Sequence, residues 1–320
     1  MNRVFSAGSL SRFVQWVDHV TATPVLGLDL GSAVIKAVEL EERSGKLFLR
    51  RARIRELKQG ENSFQAAQEL LKEWGGSGKS VAMGLASPEL VARSFHFPPM
   101  TNKELAQAVR FEAEQAILNG HSLDEMAVDW QLLSSSAKES IHGLLAVVPK
   151  QELSKRLEQA RTAGLRPLVV DVGGLALWNA YWALVGSRET VRKTILLANL
   201  GAHSTNLVIA KEPDELILMR DLAMGAHEIG EGRQKDWETE ITDSLVYARS
   251  KGGVRSLDSV YLTGGGSRAL DLPQRIQPLL AAPVRLWNPL DELEYDSDCI
   301  EKSVGPLLPI AIGLALKRTL

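Results

Sequence analysis

Two stretches that lie far apart in the chain share one pattern, which is a buried strand, a turn that contains glycine, and a returning strand. The first reads VLGLDLGSAVIKAVEL over residues 25–40, and the second reads LLANLGAHSTNLVIA over residues 196–210. A third strand follows each hairpin, over 46–54 and over 215–222, and helical periodicity follows each third strand. The repeat predicts two related α/β lobes that begin with the same three-stranded meander and face each other across a cleft.

Composition narrows the classes of protein to which the chain can belong. With 320 residues, 45% of them apolar, and a net charge of −2, it is predicted to form about two domains and has no basic excess for nucleic-acid binding. No run of 18 apolar residues is present, so we expect no membrane span. The single cysteine, Cys299, and six scattered histidines show no metal-ligand spacing, so no metal site is predicted and a reducing cytoplasm is expected.

A distinct segment lies between the two halves. Thr101 and Glu104 have the spacing of a capping box, and they open the best-defined helix of the chain, which is expected to end at Gly120. Strands over 90–97, 127–133 and 143–148 and a helix over 151–163 surround it, so residues 87–165 are predicted to be an inserted α+β subdomain. The predicted organisation is an amphipathic extension (1–24), the first lobe (25–86), this insertion (87–165), a connecting helix (166–193), the second lobe (194–303) and a C-terminal helix returning to the first lobe (304–320).

Glycine-rich hairpin tips suit phosphate binding, because backbone N–H groups can point into a cleft where no Cβ obstructs them. An acid beside the tip, such as Asp29, would orient Mg²⁺ through its oxygens. Each feature also has a structural interpretation: a turn favours Asp, Gly and Ser in any case, Lys36 suits a solvated strand face, and the later glycines suit close packing. The candidate nucleotide-binding residues are Asp29, Gly31, Ser32, Lys36, Asn199, Gly201, Gly264, Gly265, Gly266 and Ser267.

Several motifs resemble the actin-like ATPase superfamily and, within it, the PilM-type family of type IV pilus assembly proteins. GLDLGSAVIKAVEL is similar to the first phosphate loop, NLGAHSTNLVI to the second, and YLTGGGS to the adenosine loop. PPMTNKELAQAVRFEAEQAI resembles the inserted subdomain of the pilus family, and its RFEAEQ segment is the most specific of these motifs. VVDVGGLALWNAY and PIAIGLAL resemble the connecting and closing helices. The resemblance implies an α/β, actin-like (ribonuclease H-like) two-lobed fold.

The same resemblance implies a cytoplasmic scaffold, peripheral to the inner membrane, that binds the N-terminal tail of a PilN-like membrane protein and links it to the pilus motor ATPases. In such relatives the tail lies in a groove that here corresponds to strands near 34–40 and 91–97 and the helix over 101–120. A groove that binds a peptide needs polar groups that can pair with the peptide backbone. The alternative for the charged residues of this helix is a solvated outer face. The candidate peptide-binding residues are Arg110, Glu112, Glu114, Gln115 and Phe95.

Two departures from the family pattern lower the expectation of nucleotide binding. Asn199 stands where relatives carry Asp, and an amide contributes no charge to Mg²⁺. Only residues 225–235 separate Met224 from a helix expected to be capped by Asp236, so the subdomain that covers the adenosine is predicted to be truncated. We therefore expect weak or lost Mg-ATP binding and no catalytic residues. The alternatives are an active actin-like ATPase or small-molecule kinase and the cytoplasmic domain of a type II secretion protein.

Overall fold

The computed structural model describes residues 23–74, 80–85, 87, 89–117, 120–134, 140–188, 191–211, 215–268 and 272–319. The predicted amphipathic extension lies outside the described residues except for its last two, which form a short strand. The strands are β1 Thr23–Pro24, β2 Leu26–Leu30, β3 Val34–Arg43, β4 Lys46–Glu56, β5 Ser80–Leu85, β6 Val91–Phe97, β7 Met126–Ser134, β8 Ile141–Pro149, β9 Arg166–Val172, β10 Thr194–Leu200, β11 Thr205–Lys211, β12 Glu215–Leu222, β13 Ser259–Thr263, β14 Val284–Leu286, β15 Glu294–Tyr295 and β16 Arg318–Thr319. The helices are α1 Ser63–Glu73, α2 Asn102–Ala116, α3 Lys150–Thr162, α4 Gly173–Leu184, α5 Ala226–Glu228, α6 Gln234–Gly252, α7 Leu272–Leu280 and α8 Pro309–Ala315.

The chain divides into two compact units. One comprises Leu85–Glu158, and the other comprises the described residues before and after that segment. In the smaller unit, β6, β8 and β7 form an antiparallel sheet in that order, and α2 packs on it through a buried stripe. The stripe on α2 is Leu105, Val109, Ala113 and Ala116, which follows the spacing of one helix face.

The larger unit contains two sheets with the same strand order. The meander β2–β3–β4 is extended by β5 and β9, and the meander β10–β11–β12 is extended by β13 and β14, so both sheets have the order 3-2-1-4-5. In both, the fourth strand runs parallel to the first. β15 adds one further strand beside β4. The repeated topology confirms the two-lobed actin-like fold that the hairpins and the resemblance implied.

Two helices occupy the centre of the larger unit. α8 lies against β2, where a Cβ on Gly27 would be 2.0 Å from the carbonyl oxygen of Ala311. α4 lies against β11 and β12, and it contacts α8 where a Cβ on Gly313 would be 1.8 Å from the carbonyl oxygen of Ala176. Small residues therefore set how closely the central helices pack against the sheets and against each other.

The second sheet is covered on its other face by α6 and α7. Trp237 on α6 is fully buried, and its indole N–H donates to the Thr205 hydroxyl at the start of β11 (3.0 Å). The Thr205 hydroxyl donates in turn to the carbonyl of Met224 (2.7 Å). Because helices cover both faces, β11 is buried from Thr205 to Ala210 rather than on alternate residues.

Three predicted elements need correction. The segment 166–193, predicted as one connecting helix, begins with the strand β9, since Leu168, Val169 and Val170 favour an extended backbone. The segment 304–320 contains a 3-10 turn, the short helix α8, and then β16, which pairs with β1; Pro306 and Pro309 prevent one continuous helix. Asp236 is not an N-cap, because α6 begins at Gln234 directly after a π-helical turn, Ile229–Arg233.

Two smaller points concern the end of α2 and membrane spans. α2 ends at Ala116 rather than at Gly120, because the backbone of Ile117 is extended. Among the described residues, no helix combines the length and apolarity that crossing a bilayer requires.

Candidate functional site

The first hairpin brings two of its predicted site residues together as an ion pair. Asp29 on β2 lies directly opposite Lys36 on β3, and Nζ of Lys36 is 2.9 Å from Oδ2 of Asp29. Both side chains are largely buried, with 17% and 13% of their surfaces exposed. Gly31 makes room for the lysine, since a Cβ there would be 3.0 Å from Nζ. The carboxylate that would orient Mg²⁺ is thus already paired with a cation from its own hairpin.

The second hairpin contains a chain of polar side chains across the meander. Asn199 Nδ2 donates to Asn206 Oδ1 (3.0 Å), and Asn206 Nδ2 donates to Asp221 Oδ1 (2.6 Å). The three residues occupy directly opposed positions on β10, β11 and β12. Asn206 turns its amide nitrogen toward the carboxyl of Asp221 and its oxygen toward residue 199. Position 199 therefore requires a donor, which Asn supplies and an ionised Asp does not.

Asp221 is the acidic end of this chain. Asp221 as a whole residue is exposed to solvent, but the surrounding protein desolvates its carboxyl group and thereby raises the pKa of that group. The hydrogen bond from Asn206 opposes this shift. Asn206 is almost fully buried, and a Cβ on Gly173 at the start of α4 would lie 3.0 Å from its amide nitrogen. The middle residue of the polar chain, Asn206, is therefore fixed by close packing between its strand β11 and the start of α4.

The tip of the second hairpin is engaged with the protein itself. The N–H of Gly201 donates to the Ser204 carbonyl within the turn (2.8 Å), and the carbonyls of Gly201 and Ala202 accept from the N–H groups of Ala226 and His227 (both 2.9 Å). Close approach is possible because Gly225 has no side chain, where a Cβ would lie 2.5 Å from the Ala202 carbonyl oxygen. The Gly201 N–H, which the phosphate-loop interpretation expected to point into the cleft, closes the turn instead.

Two histidines and a glutamate meet beside this tip. Nδ1 of His203 is 2.7 Å from Oε1 of Glu228, and the rings of His203 and His227 have centroids 4.7 Å apart. Partial desolvation raises the pKa of the Glu228 carboxyl, but hydrogen bonds from His203, from the Gly225 N–H and from its own N–H together lower that pKa to about 2. Sequence reasoning assigned these histidines no chemistry, because they lie on different elements without ligand spacing.

The glycine-rich loop after β13 serves close packing. Gly264 has a φ of +87°, its N–H donates to the carbonyl of Pro306 (2.7 Å), and a Cβ on it would lie 2.4 Å from the carbonyl oxygen of Leu200. Gly266 packs against Leu200 and Ala226, while Gly265 is exposed. The buried hydroxyl of Ser267 donates to the Gly264 carbonyl (2.7 Å). These contacts support the packing interpretation of the loop.

The segment between β12 and α6 is short, as predicted. Residues 223–233 are all described, and they form only the single turn α5 and the π-helical turn that continues into α6. No separate subdomain stands between Leu222 and Gln234 in this fully described stretch. These residues therefore do not provide the second wall that encloses most of a ligand's surface in a deep pocket.

The predicted peptide-binding residues of the smaller unit have different environments. Phe95 is buried, stacks on Phe97 with centroids 4.8 Å apart, and lies over Gly143. Arg93 on β6 binds Glu112 through both its carboxylate (2.8 Å) and its carbonyl (2.7 Å). These contacts hold α2 on its sheet, so Phe95 and Glu112 have structural roles in this unit.

The outer face of α2 carries the other three candidates and one residue that sequence reasoning missed. Arg110 and Glu114 form an exposed pair (3.5 Å), and Gln115 is exposed beside them. Phe111 is 61% exposed, the highest exposure of any aromatic side chain among the described residues. Its signal in the sequence is its position outside the buried stripe of the helix. We call Gln107, Arg110, Phe111, Glu114 and Gln115 the outer face of α2.

Comparisons with known proteins gave one family match and several structural matches. Residues 27–244 match the family model described as type IV pilus assembly protein PilM. A solved structure named PilM-PilN type IV pilus biogenesis complex is 23% identical over 92% of this chain and 98% of that chain, with a TM-score of 0.77. A Bacteroides thetaiotaomicron protein of unknown function with an actin-like ATPase fold is 12% identical over 89% of this chain and 95% of its own, with a TM-score of 0.46. The ethanolamine utilization protein EutJ from Carboxydothermus hydrogenoformans is 13% identical over 94% and 92%, with a TM-score of 0.44.

Proposed function

Because the chain belongs to the PilM family of type IV pilus assembly proteins, we propose that it is a non-enzymatic scaffold that binds the N-terminal tail of a PilN-like inner-membrane protein. It acts at the cytoplasmic side of that membrane through its partner. The matched family is the pilus family rather than a type II secretion family. The link to the pilus motor ATPases stays a prediction.

The observation that carries the partner-binding part of the proposal is the exposed Phe111. Phe111 is a large aromatic side chain that is 61% exposed among polar neighbours on the outer face of α2. Aromatic residues are also enriched among those that dominate binding energy at protein interfaces. Gln107 and Gln115 lie one helical turn away on either side, and their amides are exposed for hydrogen bonds with a peptide backbone.

The hairpins support the non-enzymatic part of the proposal. Asp29 is paired with Lys36, and Asn199 donates to Asn206, so both positions expected to serve Mg²⁺ are satisfied within the protein. To bind Mg-ATP through them, the protein would have to exchange these contacts for contacts with the ion and the phosphates, which lowers the net gain in free energy from binding. We therefore expect binding of Mg-ATP to be weak or lost, and no motif in the sequence identifies the positioned base that a kinase would need.

Calorimetric titration of the full chain with the N-terminal peptide of a PilN-like protein tests the proposal. We expect binding in the absence of nucleotide, and Phe111→Ala should weaken it at least about tenfold. Glu114→Gln should weaken it less, because an exposed charge contributes little. Tyr247→Ala is the matched control, since Tyr247 is a half-exposed aromatic on α6, and it should bind as the wild type does.

The same titration with Mg-ATP addresses the competing function. An active ATPase or kinase would bind Mg-ATP and release phosphate, whereas the scaffold should give little binding heat and no turnover. Peptide affinity that is unchanged in Phe111→Ala, or that appears only with Mg-ATP, would contradict the proposal.

A further inference from the structure

His203, His227 and Glu228 come from two segments and meet at one exposed point. His203 lies at the tip of the β10–β11 hairpin, and His227 and Glu228 lie in α5. One ligand atom of each lies within 4.8 Å of the ligand atoms of the other two. About half of each imidazole is exposed, so an ion from solvent can reach them.

The backbone holds the two segments together. The carbonyls of Gly201 and Ala202 accept hydrogen bonds from the N–H groups of Ala226 and His227, both at 2.9 Å. The Gly225 N–H donates to Oε2 of Glu228 (2.8 Å), which leaves Oε1 directed toward His203. This is the capping-box contact at the start of α5, and it fixes the direction of the carboxylate as outer partners do for metal ligands.

The donor set selects a class of ion. Two imidazole nitrogens and one carboxylate oxygen suit Zn²⁺ and neighbouring divalent transition metals, whereas Mg²⁺ and Ca²⁺ prefer oxygen ligands alone. A tetrahedral Zn²⁺ ion spaces its ligand atoms by about 3.4 Å. Rotation of the two half-exposed rings can supply the adjustment from the present distances. Glu231, with Oε2 3.7 Å from Nδ1 of His227, adds a second negative charge beside the group.

We propose that His203, His227 and Glu228 bind a divalent transition-metal ion of the Zn²⁺ class, with water in the remaining position. The ion joins the tip of the second hairpin to α5. It thereby fixes the loop that the phosphate-binding interpretation required to be open. The proposal is independent of peptide binding by α2, because none of the three ligands lies in the smaller unit.

Titration of the chelator-treated full chain with Zn²⁺ tests the proposal, and Co²⁺ absorption reports the coordination. We expect one ion per chain with a Kd of about 10 µM or tighter, and at least about tenfold weaker binding in His203→Gln and in His227→Gln. His121→Gln is the control, since His121 pairs with Glu89 and Glu125 and, among the described residues, no second histidine joins this group. It should bind as the wild type does.

Glu228 is left unchanged because its second oxygen also accepts the Gly225 N–H, so its replacement would disturb the turn. Circular dichroism of the apo variants separates misfolding from loss of ligands. Absence of Zn²⁺ binding at about 100 µM, or wild-type affinity in a folded His227→Gln variant, would overturn the proposal. Equal affinity for Mg²⁺ would overturn it as well.

Discussion

Position 199 is determined by the hydrogen-bonding capacity of its neighbours. Asp221 accepts from Asn206, which forces the oxygen of the Asn206 amide toward β10, and Asn199 supplies the donor that this oxygen needs. The amide thus completes an ordered chain of polar contacts across three strands. The sequence showed that a carboxylate was absent at this position, but it did not show which partners had made an amide necessary.

We expect Asn199→Asp to destabilise the protein and to leave it without ATP hydrolysis. The new carboxylate would face the oxygen of Asn206, and a buried acceptor without a donor costs about 1–3 kcal/mol. Urea unfolding measures the loss of stability, and a phosphate-release assay measures hydrolysis. Wild-type stability of this variant would show that the polar chain is not ordered as described, and measurable phosphate release would show that an acid at position 199 suffices for turnover.

The double variant Asn199→Asp/Asp221→Asn provides an internal control. Exchanging the acid and the amide reverses the direction of the chain, so Asn206 can turn its amide nitrogen toward residue 199 and its oxygen toward residue 221. We expect the double variant to regain most of the stability lost in Asn199→Asp. The coupling free energy between positions 199 and 221, obtained from the unfolding of the wild type, the two single variants and the double variant, measures this compensation directly.

At the scale of elements, strong periodicity and clear turns made much of the fold predictable. Both meanders were placed within a few residues of their observed bounds, and the bounds of β12 were predicted correctly. The short strands β14 and β15 were missed, because two or three residues are too few to show alternation. β9 was missed because its apolar run is interpretable as part of the following buried helix.

Candidate site residues were less predictable than elements, for a related reason. A hairpin tip of small residues fits both a phosphate loop and a closed turn, and only the tertiary contacts of Gly201 and Gly264 distinguish them. Likewise, the exposure of Phe111 can be inferred only when the buried face of α2 is known, because Phe111 lies outside that face. His203 and His227 are brought together by the packing of α5 on the hairpin, which no local pattern encodes.

The capping box of α2 should make the stability of this helix depend on pH. Hydrogen bonds from the backbone N–H and then the hydroxyl of Thr101 lower the pKa of Glu104 below its usual value of 4.5. A carboxyl whose folded pKa is depressed stabilises the fold above its unfolded pKa, and this contribution is lost as the pH falls through the folded pKa. We therefore expect α2 in the wild type to lose protection from about pH 5 downward.

Hydrogen exchange of α2, corrected for the intrinsic rate at each pH, measures this effect. Glu104→Gln keeps an acceptor for the Thr101 N–H, so α2 should exchange at close to the wild-type rate at neutral pH, and the variant should lose most of the acid dependence. Glu125→Gln is the matched control, because Glu125 forms the equivalent contacts with Ser122 at the turn Leu123–Glu125 and not at α2. If α2 in Glu104→Gln still lost protection with acid as the wild type does, another group would be responsible.

At the scale of the whole molecule, the larger unit is a repeated structure joined by a central helix pair. Each sheet has the strand order 3-2-1-4-5 and packs on one helix, the first through β2 on α8 and the second through β11 on α4. The helices α4 and α8 contact each other in turn. Asp29 lies on β2, the strand that packs against α8. Asn199 lies on β10 and pairs with β11, the strand that packs against α4. Any change that separates α4 from α8 should therefore disturb both lobes together.

Gly313→Ala tests this central contact. The added methyl group would lie 1.8 Å from the carbonyl oxygen of Ala176, closer than any Cβ can approach, so α8 must move away from α4. Overpacking of this kind costs about 1–3 kcal/mol, which should lower the melting temperature by several degrees. Gly230→Ala is the control: a Cβ there meets nothing within 4 Å, so we expect a melting temperature close to that of the wild type. A Gly313→Ala protein that melts with the control would mean that the two lobes are not held together through this helix contact.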